Sequence, residues 1–367
     1  MKLSISRDQL LKPLQQVCGV VEKRQTLPVL ANVLLVVDGG KLSLTGTDLE
    51  VELVAKADLS GEFGDGEITV PARKLLDICK SLPASAEIEL RLDGQKLTLK
   101  SGKSRFTLTT LPANEFPNLE EGIGAFNFSI GQKALRKLID KTAFAMAQQD
   151  VRYYLNGMLF EVAGNRLRTV STDGHRLAMC DADARTDSND RMQVIVPRKG
   201  VHELARLLTD DDGEVTLTLG TNHIRATVGN VSFTSKLIDG KFPDYERVLP
   251  KGGDKTVLAN REELRQSLQR ASILSNEKYR GIRLQLTPDL LRVQANNPDQ
   301  EEAEEDVTVE YAGASLEIGF NVQYLMDVLG VLESPTAKIT LGDANSSALL
   351  QDADSAAALY VVMPMRL

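Results

Sequence analysis

Apolar and polar residues alternate along most of the chain in short runs, such as Lys41-Leu42-Ser43-Leu44-Thr45 and Lys96-Leu97-Thr98-Leu99-Lys100. This period of two predicts antiparallel strands with one buried face. The pattern changes twice near the start. Leu10, Leu11, Leu14 and Val17 recur at helical spacing, which predicts a helix over 7–22 with Ser6 as its N-cap and a kink at Pro13. Pro71 then opens a second helix to Ser81, with Leu75, Leu76, Ile78 and Cys79 on its apolar face. The same order (strand, helix, strands, helix, strands) begins again at Phe126 and, more worn, at Thr256.

Matching segments support a repeat. Thr47-Asp48 and Thr172-Asp173 each follow an apolar strand and lie 125 residues apart, and Asn296-Asn297 ends a third such strand. Phe116-Pro117 and Phe242-Pro243 lie 126 apart. That period is too long for a solenoid and right for a domain. The expectation is an α+β protein of three repeated modules, 1–125, 126–252 and 253–367, each with two helices packed on antiparallel sheets.

Candidate chemistry narrows the picture mainly by exclusion. Gly102-Lys103-Ser104 imitates the end of a phosphate-binding loop, but Leu97 stands where that loop needs glycine, and a strand follows. The three histidines and three cysteines are scattered without zinc spacing, and Asp210-Asp211-Asp212-Gly213 lacks a calcium loop's ligand order. Asp173 beside His175 could form an acid–base pair, though a turn histidine held by its neighbour is the commoner case. We therefore expect no catalytic residue, metal or cofactor. Cys18, Cys79 and Cys180 read as buried thiols of a reducing cytoplasm. No apolar run reaches a membrane span, and the N-terminus has no secretory pattern.

The net charge of −8 argues against a simple nucleic-acid binder, so any DNA role needs a local basic surface. Candidates are Lys133, Arg136, Lys137 and Lys141 on one predicted helix face, with Arg73, Lys74 and Lys80, and Arg198, Lys199 and Arg206, on two others. The run Asp299–Asp306 holds six acids in eight residues and reads as solvated or as an acidic strand edge. Basic Lys100, Lys103 and Arg105 lie late in the first module. Opposite edges of this kind suit head-to-tail association, which makes a ring if it closes. Met363-Pro364-Met365 near the end offers an adaptable apolar lining for peptides.

Several long segments carry a resemblance: Leu42 to Glu50, Gln149 to Met158, Thr172 to Leu177, Phe242 to Tyr245, and Val361 to Leu367. Over essentially its whole length the chain resembles the bacterial sliding clamps, the beta subunits of DNA polymerase III. The resemblance implies a non-catalytic processivity ring, built by head-to-tail dimerisation of three-domain chains around double-stranded DNA. Twelve helices at roughly 8–10 Å spacing would line a circle wide enough to pass a duplex. It implies a partner-binding pocket of Leu155, Thr172, Gly174, His175, Arg176, Leu177, Pro243, Val248, Val361 and Met363. A second subsite would use Arg152, Tyr154, Asn321, Tyr324, Ser347, Pro364, Met365 and Arg366, with Asn345 in place of an apolar residue beside it. DNA contacts would come from Arg24, Arg73, Gln149, Tyr153, Tyr154 and Lys199. The dimer seam would set Phe106 against Ile273 and Leu274, and Lys74 and Arg105 against Glu301, Glu302 and Glu304. Implied partners are the polymerase III catalytic subunit, the clamp loader, and other polymerases and mismatch-repair proteins carrying clamp-binding peptides.

Overall fold

The structure, a computed structural model, describes residues 1–22, 27–117, 119, 126–186 and 190–366. Among these, six α-helices fall two to a module: α1 (Arg7–Val17), α2 (Ala72–Ser81), α3 (Gln132–Thr142), α4 (Arg198–Leu207), α5 (Arg261–Ser272) and α6 (Val322–Val331). Their starts follow the expected chemistry. Ser6 Oγ accepts the Gln9 N–H at 3.3 Å, and Asn260 Oδ1 accepts the Glu263 N–H at 3.0 Å. Helix α1 carries Pro13 inside it and ends at Val17, five residues before the predicted stop. Val20 and Val21 nevertheless stay buried, which is why the apolar spacing ran on past the helix end.

The chain divides into two compact units: Met1–Lys133 with Arg185–Ser188 and Lys199–Leu237, and Ala134–Ala184 with Asn189–Arg198 and Ile238–Leu367. The division falls inside the second repeat because each of that repeat's sheets continues into a neighbouring repeat. In the first unit, strand Val231–Lys236 pairs antiparallel with Val51–Asp58 within a nine-stranded sheet, setting Phe233 opposite Leu53. In the second unit, strand Ala358–Val362 pairs antiparallel with Arg176–Asp183 within a twelve-stranded sheet, setting Tyr360 opposite Ala178. Phe233 and Tyr360 are fully buried at these seams.

The turn before each receiving strand is the same device used three times. Thr47 Oγ1 donates to the Val51 carbonyl at 2.9 Å and accepts the Leu49 N–H at 3.1 Å, while Asp48 Oδ1 accepts the N–H groups of Glu50 and Val51 at 2.9 and 2.7 Å. Thr172 and Asp173 repeat this: Thr172 Oγ1 donates to the Arg176 carbonyl at 2.6 Å and accepts the Gly174 N–H at 3.1 Å, and Asp173 Oδ1 accepts the N–H groups of His175 and Arg176 at 2.9 and 3.1 Å. Both turns need a left-handed residue, Leu49 at φ +77° and Gly174 at φ +89°. In the third copy Asn297 Oδ1 accepts the N–H groups of Asp299 and Glu301, both at 3.1 Å, and Gln300 takes φ +64°. That turn is one residue longer: Thr47 pairs with Glu52 and Thr172 with Leu177, but Asn296 pairs with Glu302.

The acidic run is more ordered than its composition suggested. Strand Glu302–Glu310 begins inside it, because Val307 and Val309 alternate inward and are buried. Along Glu302–Thr308 this strand pairs with Leu290–Asn296, and only Val309 and Glu310 pair with Lys255–Asn260 on its other side. In the first unit, strand Ser104–Thr109 ends the five-stranded sheet and pairs with Lys96–Ser101 alone. No described helix is long and apolar enough to cross a membrane.

Candidate functional site

The Thr172–Leu177 turn of the second unit is organised by Arg176. Its guanidinium donates to Asp173 at 3.1 Å, to the Phe144 carbonyl at 2.9 Å and to the Asp327 carboxylate. It also lies over the ring of Tyr324, 4.5 Å from the centroid. His175 stacks on the other part of this surface, with ring centroids 6.4 Å from Tyr324, and its carbonyl accepts the Met363 N–H at 2.9 Å. The Asp173 carboxylate is therefore engaged by two backbone N–H groups and a guanidinium. The turn forms a wall held by hydrogen bonds and ring contacts, with His175 joined to it through Tyr324 and Met363.

Beneath the wall the sheet supplies an apolar floor. Leu177 and Val361 face each other across strands, 2% and 0% exposed, and join Leu159, Val170, Met179, Ile195, Phe242 and Tyr245 in one cluster. Tyr154 and Val248 pack against it, half-buried. Leu155 is buried in the 3-10 turn Tyr153–Leu155, and Pro243 directly follows Phe242. Met363 continues past the closing strand and stays 38% exposed, an apolar rim. Asn321 caps α6 by accepting the Gln323 N–H at 2.9 Å, while Met365 is fixed by its N–H to the Gly319 carbonyl at 2.9 Å. Pro364 and Arg366 flank Met365. Ser347 lines a separate polar recess of about 410 Å³ with Lys251, Lys255 and Asp343, outside the apolar cluster; Asn345 lies in that loop, its N–H on Asp343 at 2.8 Å.

Sequence reasoning carried over Pro243 from the Phe242–Tyr245 motif but passed by Phe242 and Tyr245. Tyr245 is anchored from below: its hydroxyl donates to Glu161 at 3.1 Å and accepts from Arg168 at 3.2 Å. The spacing of an aromatic after Phe-Pro was the available signal. Phe144 and Asp327, which hold Arg176, gave none, since only the fold brings them to the turn.

Arg152 closes one side. Its guanidinium donates to Asp150 Oδ1 and Oδ2 at 3.0 and 2.8 Å and to the Asp173 carbonyl at 3.2 Å. A Cβ at Gly174 would stand 2.8 Å from that guanidinium, so glycine serves both the positive φ and the close approach. The Arg152 guanidinium and then its backbone N–H hold the Asp150 carboxyl down at about 2, from an ordinary 3.8. A lowered folded value means the pair persists above the ordinary range and is lost only as pH falls through about 2. Carboxyl-carbon NMR should place the Asp150 midpoint there, and Arg152→Ala should raise it toward 3.8, with the backbone N–H of residue 152 still holding it below that value; a native midpoint near 3.8 would contradict the pairing.

The residues assigned to DNA divide. Arg24 lies outside the described residues. Tyr153 is 57% exposed, edge-on to Tyr154, beside Val151, which is 95% exposed. Gln149 takes φ +54° in the same loop. Exposed Arg73 donates to the Val21 carbonyl at 3.1 Å. Lys199 is held by Glu22 and Asp48, so its charge is largely matched within the first unit. The basic stripe on α3 needs correction as a phosphate-facing surface. Lys137 pairs with Glu333 at 2.7 Å, Lys141 is buried against Glu333 and the Val331 carbonyl, and Arg136 pairs with Asp140.

Of the seam residues, Lys74, Arg105, Glu301, Glu302 and Glu304 are exposed, Phe106 and Leu274 are half-exposed, and Ile273 is 76% exposed. Burial pushes the thiols of Cys18 and Cys180 up to about 11 and that of Cys79 to about 12, which leaves them protonated and unreactive at neutral pH. Among the described residues no group of His, Cys, Asp and Glu has the arrangement of a metal site.

Family models described as DNA polymerase III beta subunit match over residues 1–120 (N-terminal domain), 129–244 (central domain) and 246–366 (C-terminal domain). The beta sliding clamp of Pseudomonas aeruginosa is 67% identical over 367 residues, all of both chains. A crystal structure of the Pseudomonas aeruginosa DNA polymerase III subunit beta superposes with a TM-score of 0.99 at 66% identity, covering 100% of each chain. Another, of that organism's sliding clamp bound to griselimycin, gives 0.98 at 67% identity with the same coverage.

Proposed function

The chain belongs to the family of DNA polymerase III beta subunits, the beta sliding clamps, and from that premise we propose that two copies close head to tail around duplex DNA, each carrying one apolar pocket for partner peptides. A sliding clamp is a processivity factor without catalysis of its own. The three modules of the reading are 1–125, 126–252 and 253–367, which the spans of the three family models support.

The observation that carries the ring is an unfinished repeat. Twice within the chain, a module's closing strand pairs with the strand after the preceding module's turn: Val231–Lys236 on Val51–Asp58, and Ala358–Val362 on Arg176–Asp183. Among the described residues the third closing strand, Ser104–Thr109, keeps one side unpaired, and the third receiving strand, Glu302–Glu310, keeps one side unpaired along Glu302–Thr308. An open edge of this kind is a template for another chain. Phe106 occupies the position of Phe233 and Tyr360, and it stays half-exposed for want of a partner. Continuing the register sets Phe106 opposite Ala303 and Arg105 opposite Glu304 of a second copy. Directly opposed residues lie about 4.5–5.5 Å apart, within disulfide range. Arg105→Cys with Glu304→Cys should therefore give a covalent dimer on mild oxidation; monomers only would contradict this seam.

The apolar cluster under the Thr172–Leu177 wall is the natural seat for short peptides, and griselimycin, bound by relatives, is a usable probe. Peptides docking here would tether the polymerase III catalytic subunit, the clamp loader, other polymerases and mismatch-repair proteins at high effective concentration on cytoplasmic DNA. Leu177→Ala or Met363→Ala should weaken griselimycin by roughly tenfold to a hundredfold, from about 1–3 kcal/mol of lost apolar contact. Calorimetry checks the affinity and light scattering the mass. Unchanged affinity would contradict the pocket.

Tyr153, Tyr154, Gln149, Arg73 and Arg24 would touch DNA, and phosphates would compete with Glu22 and Asp48 for Lys199. A threaded ring needs few such contacts, which is compatible with a net charge of −8.

A further inference from the structure

The two strand junctions within the chain are built alike, yet they differ in chemistry at the positions that form the pocket floor. In the second unit the directly opposed pair is Leu177–Val361. The corresponding pair in the first unit is Glu52–Thr234. Likewise Val170 opposite Met179 becomes Thr45 opposite Val54. The carboxylate of Glu52 accepts the N–H of Leu119 at 3.3 Å, so this polar floor is engaged by the chain itself.

The turn differs as well. Where the second unit has Gly174, with no side chain and the Arg152 guanidinium packed close against it, the first unit carries Leu49. A leucine at φ +77° is a strained choice in a turn that glycine would fill freely. Its side chain packs on Val29, Leu30 and Phe116, together with Leu34 and Leu111. Phe116 is the counterpart of Phe242 by the repeated Phe-Pro step, and Leu34 that of Leu159 by the shared register. Two apolar residues of the second junction thus have counterparts at the first, and there the Leu49 side chain packs against them.

We infer that the first junction is a closed copy of the peptide pocket, and that Leu49, with the Glu52–Thr234 pair, restricts each chain to a single apolar-peptide site. This rests on the pocket reading proposed above. The strain at Leu49 has a role in it, since contact with Val29, Leu30 and Phe116 offsets the backbone cost while excluding a ligand.

The test uses griselimycin and the full-length chain in titration calorimetry. The native chain should take up one equivalent per chain; none would count against the pocket reading itself and leave the inference without its parent. The variant Leu49→Gly/Glu52→Leu/Thr234→Val should take up two, the second within about a hundredfold of the first in affinity. One equivalent in a variant that melts cooperatively would overturn the inference while leaving the pocket intact. Should that variant not fold, the reciprocal change decides. Gly174→Leu sets a leucine at the turn position that Leu49 holds in the first unit and should weaken griselimycin at least about tenfold; native affinity would overturn the idea.

Discussion

A chain carrying Ile273→Ala and Leu274→Ala should sediment as a monomer at concentrations where the native chain is a dimer. Ile273 is 76% exposed directly after α5, and Leu274 beside it is half-exposed. Two adjacent apolar side chains left in water at a helix end are unusual unless a partner covers them. In the proposed seam they meet Phe106 of the second copy. Truncating a buried Ile or Leu to Ala costs about 2–5 kcal/mol, so the pair removes at least about 4 kcal/mol, near a thousandfold in the dissociation constant of each seam. The surrounding charges do less. Arg105 and Glu304 are exposed, and such pairs contribute at most about 1 kcal/mol. Neutralising them should slow assembly and alter its salt dependence while leaving dimers. Unchanged mass for the double alanine variant would remove these residues from the seam.

Lys141→Ala should be the most destabilising single change on α3. The Lys141 side chain is 6% exposed; its ammonium donates to the Val331 carbonyl and lies 3.3 Å from Glu333 and 4.0 Å from Asp352. Asp352 is itself buried, and its Oδ1 accepts the N–H groups of Glu333 and Ser334 at 2.8 and 2.7 Å. Removing the lysine leaves that carboxylate without its cation in a low-dielectric setting, a loss of about 3–5 kcal/mol. Scanning calorimetry should show the transition containing the second unit fall by roughly 10 °C. Lys133→Ala, exposed at the start of the same helix, should change stability by no more than about 0.5 kcal/mol. Equal small shifts for the two variants would contradict the buried pairing.

These lysines also show where the sequence was legible and where it was not. Helical spacing correctly places Lys133, Lys137 and Lys141 on α3, but an angle around a helix axis does not say what stands opposite. Glu333 and Asp352 are about two hundred residues away, and only the fold brings them to Lys141. The same holds for Arg176, whose partners Asp327 and Phe144 left no local trace. The repeat was readable because its turn is chemically local: Thr47-Asp48 and Thr172-Asp173 each satisfy their own backbone within four residues. The third copy was harder, since Asn297 does the work of the aspartate and the turn has an extra residue. Composition left the acidic run open between a solvated segment and an acidic strand edge, and the structure shows the strand from Glu302. The buried alternation of Val307 and Val309 lies just beyond the run, where the strand continues.

The pocket was partly visible for the same reason. Leu177 and Val361 belong to short continuous apolar runs that read as buried strands, but their pairing across the sheet is a fact of topology. Local pattern marked Pro243 through the Phe-Pro step, and the buried Tyr245 with its Glu161 and Arg168 partners appeared only in three dimensions.

The central claim is that the chain is held on DNA by encirclement, and its most direct test is retention at high salt. The native protein, placed on nicked circular duplex by its loader, would be washed at 200 mM salt or above, and the DNA then linearised. A protein held by six to ten phosphate contacts loses about 10³–10⁵ in affinity between 50 and 200 mM salt, whatever the shape of the DNA. The ring predicts protein that stays on circles through the wash and leaves once ends are made. Equal loss from circular and linear DNA would contradict it.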